Sequence, residues 1–351
     1  PSNLMMICGV LIFRERLSYA RLKRAVEDRF LQFKRFRQHP VQTAAGAFWE
    51  DAGDFELEHH VVHVALPGKG GKRELQTLAS RLAGTPLLPT RPLWQFHLVD
   101  NFDGGSAVVV RIHHCYADGI ALVQVMLSMT DASAHGPPAL PAPAPRKERK
   151  PRSAAADDSI AQMMQPLTGA VQMAMRVGTM LVEKGVELWQ DPAKAMALAE
   201  QGGALTTEIA RLALMQADSP TRFKGKPGVG KRVAWAPPLA LTEVKAVGRA
   251  LGASVNDVLL SCAAGAMRGY LESRGDDVDG LMVRSLVPVN LRPLERAYDL
   301  GNQFGIVFLD LPIGIENPVE RLYAVRANMS ALKGSLQPVL TLGLLAAAGS
   351  G

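Results

Sequence analysis

The hydrophobic positions of the chain change period several times, and each change marks an element. Residues 4–13, LMMICGVLIF, form an apolar run of the length of a buried strand. From Ser18, a candidate N-cap, Leu22, Ala25, Val26, Phe30 and Phe33 recur at helical spacing, which predicts one helix over 18–37. FELEHHVVHVAL (55–66) reads as a strand and KRELQTLASRLAG (72–84) as a helix closed by Gly84. LWQFHLVD (93–100) alternates like a half-buried strand, DGG (103–105) turns, and SAVVVRIHH returns as the second strand of a hairpin. GIALVQVMLSMTD (119–131) is an apolar helix.

The pattern then stops. Residues 133–158, SAHGPPALPAPAPRKERKPRSAAADD, are Pro- and Ala-rich with a basic cluster and no hydrophobic period, which predicts an exposed linker. Residues 159–219 read as a mostly helical connector, broken near Pro166, Pro192 and Gly202. Met163, Met164, Met173, Met175 and Met180 gather there; they suit packing between domains or an adaptable surface for acyl chains. From about 220 the alternation resumes: helices over 241–252 and 254–275, strands over 281–293 and 302–314, and a helix over 318–335. Ser254 or Asn256 starts the second of these helices. The organisation expected is an N-terminal domain over 1–132, the linker, the connector, and a C-terminal domain over 220–351. Each domain offers strands, helices and a polar motif at a strand end or helix start.

At 351 residues, two domains are expected, since this exceeds one ordinary core. Hydrophobic content of 48% and charged content of 21% describe a globular chain. A formal charge of +6 suits an anionic partner such as a CoA phosphate or an acidic membrane face, without choosing between them. Much of it sits on the outer face of 18–37, a face that reads as solvated or as a CoA or lipid contact. Cys8, Cys115 and Cys262 are odd in number and far apart, so neither a disulfide framework nor a paired-cysteine metal site follows, and a reducing cytoplasm is expected. No uninterrupted apolar run reaches the ~20 residues of a membrane-spanning helix. The chain opens inside a strand-like run and stops in an apolar, helix-like one, so a fragment at both ends is expected.

The chemistry concentrates in HHCYADG (113–119), where an apolar strand gives way to an apolar helix. Neighbouring side chains on a strand face opposite ways, so one of His113 and His114 is expected to be catalytic and the other structural. A neutral imidazole at such a place is a competent general base, worth ~10²–10⁴-fold in rate. Asp118, at the start of the next helix, can accept backbone N–H groups or pair with a cation, and Gly119 permits a conformation or close approach that a side chain would block. Three rivals remain: Cys115 as a covalent nucleophile, a metal held by the histidines and Asp118, and a buried polar loop with no catalytic role. The spacing lacks the His pair four apart of zinc helices, and no G-x-S-x-G nucleophile turn occurs anywhere. His59, His60 and His63 invite a second metal reading, against which stands strand packing with His59 and His63 on one face.

HHCYADG resembles the HHxxxDG signature of the chloramphenicol-acetyltransferase-like superfamily. The whole chain more closely resembles the bacterial wax ester synthase/acyl-CoA:diacylglycerol acyltransferase family. The matching stretches are NLMMICGVLIF, FRQH, HVVHVALPG, RPLWQFHLVD, HHCYADG, SPTRFKGKPGVGKRVAWA, VNDVLLSCAAGAMRGYL, VPVNLRP and GNQFGIVFLDLPIGIENPVERL, in family order. The resemblance implies an α/β fold of two chloramphenicol-acetyltransferase-like domains, mixed sheets flanked by helices, with an active-site tunnel between them and a truncated C-terminal domain. It implies transfer of a fatty acyl group from acyl-CoA to the hydroxyl of diacylglycerol or a long-chain alcohol.

Residue by residue, the resemblance makes His114 the base, with His113 beside it. Asp118 becomes a mainly structural residue paired with an arginine, for which Arg292 of NLRP is the candidate. Asn290 belongs to the same stretch. Pro92, Leu93 and Trp94 match the family's PLW motif and are expected to line or shape the tunnel. Asn256 and Asp257 match its ND motif, with a helix cap as the alternative. The family usually carries an acidic residue where Leu88 stands, and Cys115, Tyr116 and Ala117 occupy variable positions that could tune acceptor preference. The resemblance implies no metal or other cofactor, acyl-CoA being a substrate. It also implies no nucleic acid, and a cytoplasmic protein touching the inner membrane face or lipid inclusions peripherally. Missing strands would leave exposed edges, so this chain alone is expected to be poorly soluble or inactive. Two alternatives stay open: a condensation-domain-like acyltransferase using carrier-protein thioesters, and a non-catalytic lipid-surface protein.

Overall fold

The computed structural model describes residues 3–44, 46–131, 204–291, 300–333 and 335–348. The expected linker, its basic cluster and the five clustered methionines lie outside them. The chain divides into two compact units. The first comprises Pro1–Arg152, Lys226–Ala236 and Arg292–Asn302; the second comprises Ser153–Gly225, Pro237–Leu291 and Gln303–Gly351. Two short segments from late in the chain therefore cluster with the N-terminal unit.

In the first unit a four-stranded mixed sheet has the order β1-β6-β5-β4, built from β1 (Met6–Phe13), β4 (Val61–Ala65), β5 (Trp94–Phe102) and β6 (Gly105–His113). β4 and β5 run parallel, and the other neighbours are antiparallel. The crossover between the parallel strands is α2 (Lys72–Ala83), as a parallel pair requires. Period-two alternation splits the sheet into two apolar faces. Leu75, Leu78 and Leu82 of α2 pack on Val99, Ala107 and Val109. On the other face α1 (Tyr19–Asp28) and α3 (Gly119–Ser128) pack on Trp94, Phe96, Leu98, Val108, Val110 and Ile112. The segment 226–236 lies along α2, where Val233 N–H donates to Ser80 Oγ at 2.8 Å and Trp235 joins the apolar cluster.

The structure replaces the single helix expected over 18–37. The α-helix ends at Asp28, and Phe30–Gln32 and Lys34–Arg37 are 3₁₀ turns. Phe30, Phe33 and Phe36 are spaced by three, the period of a 3₁₀ helix, and all three are buried. The α spacing from Leu22 to Val26 thus gives way to a spacing of three that turns the aromatic rings onto Trp94. A hairpin the hydrophobic pattern did not announce follows, β2 (Gln38–Thr43) against β3 (Gly46–Asp51). The strand expected over 55–66 shortens to β4, because Leu57–His59 forms another 3₁₀ turn. His59 and His63 therefore do not share a strand.

The second unit has α4 (Ala204–Ala213), α5 (Leu241–Ala250), α6 (Val255–Glu272), an antiparallel pair β7 (Val283–Asn290) and β8 (Phe304–Leu311), α7 (Pro318–Leu332) and α8 (Gln337–Ala348). Its core gathers Ala264 and Leu271 of α6, Val307, Leu309 and Leu311 of β8, Ile313 and Leu332. Arg321 crosses that core edge, with its guanidinium donating to Ser261 O, Ile315 O and Glu316 O. Among the described residues no single helix is long and apolar enough to cross a membrane.

Candidate active site

β6 ends at His113, whose cross-strand partner on β1 is Met6. His114 is the first residue past the strand, and its N–H still donates to Met5 O at 2.7 Å. The chain then turns, Tyr116 N–H reaching back to His113 O at 3.3 Å. A second segment of the same unit clamps the turn. Gly301 N–H donates to Tyr116 O at 2.9 Å and Asp118 N–H to Gly301 O at 3.2 Å, a parallel bridge between Ala117 and Gly301. His114, on which the base reading rests, is thus fixed on both sides by backbone hydrogen bonds.

The two imidazoles have different surroundings. His113 is half-buried, and its Nδ1 accepts from Cys115 N–H at 3.2 Å, which leaves its ring proton on Nε2. Burial first, and then the neighbouring His114, push its pKa below the ordinary histidine value. The His114 ring Nδ1 lies 3.1 Å from Asn302 Oδ1, while Asn302 Nδ2 donates to the His114 carbonyl at 3.1 Å. Asn302 was not legible as a site residue. Its one signal was the GN pair at the head of β8, where an amide offers a donor and an acceptor together.

Asp118 is buried and caps α3, its Oδ1 accepting from Ala121 N–H at 3.0 Å. Its expected partner Arg292 lies outside the described residues. Gly119 departs from expectation: it is exposed, takes no positive φ, and a methyl group there would meet nothing within 4 Å among the described residues. No close approach by the described residues requires a glycine at that place.

Tyr116 and Ala117 occupy variable positions that were expected to tune acceptor preference. The structure buries both, with Tyr116 only 1% exposed. Tyr116 Oη accepts from Leu93 N–H at 2.9 Å and donates to Gln38 O at 2.6 Å, and its ring packs against Phe36 and Trp49. Burial raises its phenol well above the ordinary tyrosine range. Cys115, the third variable position, has its thiol pushed up to about 11 by burial, so it stays protonated and is a poor nucleophile.

Pro92, Leu93 and Trp94 act from beneath. Trp94 is fully buried, its Nε1–H donating to Phe36 O at 2.7 Å and its ring stacked on His60. It therefore does not line an opening, as the PLW motif had suggested it could; burial among Phe30, Phe55 and Phe96 gives it a core role. Pro92 and Leu93 are buried as well, and Leu93 O accepts from His113 N–H at 2.9 Å. The motif shapes the site through Tyr116 and His113 without facing it.

Asn256 and Asp257 belong to the second unit. Ser254 is the N-cap of α6, and Asp257 closes the capping box, its Oδ2 accepting from Ser254 N–H at 2.8 Å and from Ser254 Oγ at 2.7 Å. Asn256 is exposed, Asp257 is buried, and Asp257 Oδ1 has no hydrogen-bond partner among the described residues. Asn290 closes β7 opposite Phe304.

Among the described residues no three His, Cys, Asp or Glu side chains are grouped to share a metal ion. His60 Nδ1 contacts Trp94 O at 2.8 Å, and His63 pairs with Asp100 at 2.6 Å. Much of the basic face of 18–37 has partners of its own. Lys23 pairs with Glu58 and Arg29 with Asp131, while Arg35 lies over the Trp49 ring.

Comparison with known proteins places this arrangement. Residues 2–259 match the wax ester synthase/diacylglycerol acyltransferase catalytic domain, and residues 300–350 match the C-terminal domain of the same family. A Mycobacterium tuberculosis (strain ATCC 25618 / H37Rv) protein named "Probable diacyglycerol O-acyltransferase tgs2" is 31% identical over 320 residues, 89% of this chain and 64% of that protein. The chain thus spans about 64% of the length of the curated relatives it matches first. Among solved structures, the wax ester synthase/diacylglycerol acyltransferase from Marinobacter aquaeolei VT8 shares the fold at a TM-score of 0.60 and 18% identity, over 98% of this chain and 71% of that one. The first condensation domain of the calcium-dependent antibiotic synthetase shares it at 0.52 and 15%, over 95% and 70%. With a catalytic-domain match over more than half its residues and a C-terminal match in the right order, the chain belongs to the wax ester synthase/diacylglycerol acyltransferase family.

Proposed function

We propose that the protein to which this chain belongs is an O-acyltransferase. It moves a fatty acyl group from acyl-CoA to the hydroxyl of diacylglycerol or a long-chain alcohol, with His114 as general base. The observation that carries the reading is the seat of His114: first residue past β6, held by Met5 O and by Asn302. Its Nε2 takes the proton of the acceptor hydroxyl as the oxygen attacks the thioester carbonyl. The imidazolium then protonates the departing CoA thiolate, which returns the ring to its starting form. A thioester is already activated, so the reaction asks for no metal and no redox group. Asp118 contributes by capping α3 and so fixing where the loop ends.

Apolar substrates fit the surface of α3, where Ile120, Val123 and Leu127 are exposed on successive turns. The same substrates lead us to place the protein in the cytoplasm, in peripheral contact with the inner membrane face or lipid inclusions. Two experiments test this. The full protein, given labelled palmitoyl-CoA with diacylglycerol or hexadecanol, forms labelled neutral lipid, and His114→Ala abolishes it. Full activity in His114→Ala would end the proposal. Turnover of carrier-protein thioesters in preference to acyl-CoA would redirect it. For localisation, recovery wholly in the soluble fraction at low salt would count against membrane contact.

A further inference from the structure

Asn302 holds one residue at two points, and the two contacts together decide a proton. A backbone carbonyl can only accept, so the amide group 3.1 Å from His114 O is the –NH₂. The amide oxygen must then be the atom facing the His114 ring, and an amide oxygen also only accepts. The ring nitrogen 3.1 Å from it, Nδ1, is therefore the one that carries hydrogen. In a neutral imidazole the lone pair is left on Nε2. His113, one residue earlier, takes the opposite form: its Nδ1 accepts from Cys115 N–H, so its proton sits on Nε2. Adjacent histidines of one motif are thus set in opposite tautomers by their own neighbours.

We infer that Asn302 is a positioning residue that selects the Nδ1–H tautomer of His114 and so presents Nε2 as the proton acceptor. The inference rests on the proposed role of His114 as base, but its first test does not need turnover. Asn302 is exposed and comes from a segment 188 residues further along the chain, brought to the motif by the backbone bridge at Gly301. Among the described residues its amide hydrogen-bonds the ring and the carbonyl of His114.

The test is ¹⁵N NMR of the histidine-labelled chain, with the His114 signals assigned by difference from His114→Gln. The expected result is a His114 ring protonated mainly on Nδ1 at a pH where it is neutral. In Asn302→Ala the share of that tautomer relative to the other falls by about fivefold, the weight of one ordinary hydrogen bond. Asn302→Asp, which keeps an acceptor oxygen for Nδ1–H while losing the donor to His114 O, retains the wild-type tautomer. In the acyl-transfer assay kcat falls by roughly tenfold in Asn302→Ala with KM little changed, and falls less in Asn302→Asp. A wild-type ring bare at Nδ1, or an Asn302→Ala ring with the wild-type tautomer, would overturn the inference without reference to activity. If the tautomers behave as stated while His114→Ala keeps full activity, the general-base reading fails and the tautomer assignment stands.

Discussion

Tyr116→Phe removes one oxygen atom from beneath the active loop and leaves the ring in place. The oxygen is buried and serves two backbone groups, accepting from Leu93 N–H at 2.9 Å and donating to Gln38 O at 2.6 Å. The substitution keeps the contacts with Phe36 and Trp49, whose ring centroids lie 5.1 and 5.0 Å away, so no packing cost is expected. What remains is two orphaned polar groups. Each such group costs about 1–3 kcal/mol when it stays buried. Leu93 is buried, whereas Gln38 is half-exposed and its carbonyl can find water, so the sum falls near about 2–3 kcal/mol. The measurement is denaturant unfolding followed by tryptophan emission, to which Trp49 and Trp94 report from the same aromatic cluster. Acyl transfer should fall too, because Leu93 O also holds His113 N–H. A variant within about 0.5 kcal/mol of wild type would refute the claim that the PLW segment and the motif are tied through this hydroxyl.

Gly119→Ala should leave stability unchanged or slightly raised, since a methyl meets none of the described residues and alanine is the better helix former; a loss above about 1 kcal/mol in thermal or chemical unfolding would contradict this. If the same variant loses acyl transfer while remaining folded, the space over Gly119 belongs to a substrate. Asp118→Ala should cost at least about 1 kcal/mol through the lost cap of α3, read by circular dichroism melting; an unchanged melting temperature would show the cap to be dispensable. His97 is buried beside Arg111 on the α2 face of the sheet, and burial, with Arg111, lowers its pKa to about 4. The unfolded chain therefore takes up this proton first as pH falls. Full stability holds above about 6.5 and is lost by about 3 kcal/mol as pH drops through 4. His97→Gln should flatten that slope in unfolding free energies measured from pH 7 to 4; an unaltered slope would place the acid sensitivity elsewhere.

Some of this was written locally. A strand of alternating or wholly apolar residues and a capped amphipathic helix need only their own spacing to be recognised, so β5, β6, α2, α3 and α6 were legible, as was HHCYADG at the seam of β6 and α3. Membership of the family was legible for the same reason, since its motifs are short, ordered strings. The helix expected over 18–37 failed at Phe30, where a spacing of four changes to a spacing of three and the rings turn onto Trp94, 58 residues on from Phe36. Tyr116 read only as a variable position that could tune acceptor preference, until the fold placed Leu93 and Gln38 around its hydroxyl. Asn302 carried only the GN pair as a signal and nothing that named its role, because that role exists only where Gly301 bridges to Ala117. Periodicity, caps and motif strings are properties of neighbouring residues, and the sequence determined them alone. Which nitrogen of His114 bears the proton depends on an amide 188 residues away, and only chain closure in three dimensions could decide it.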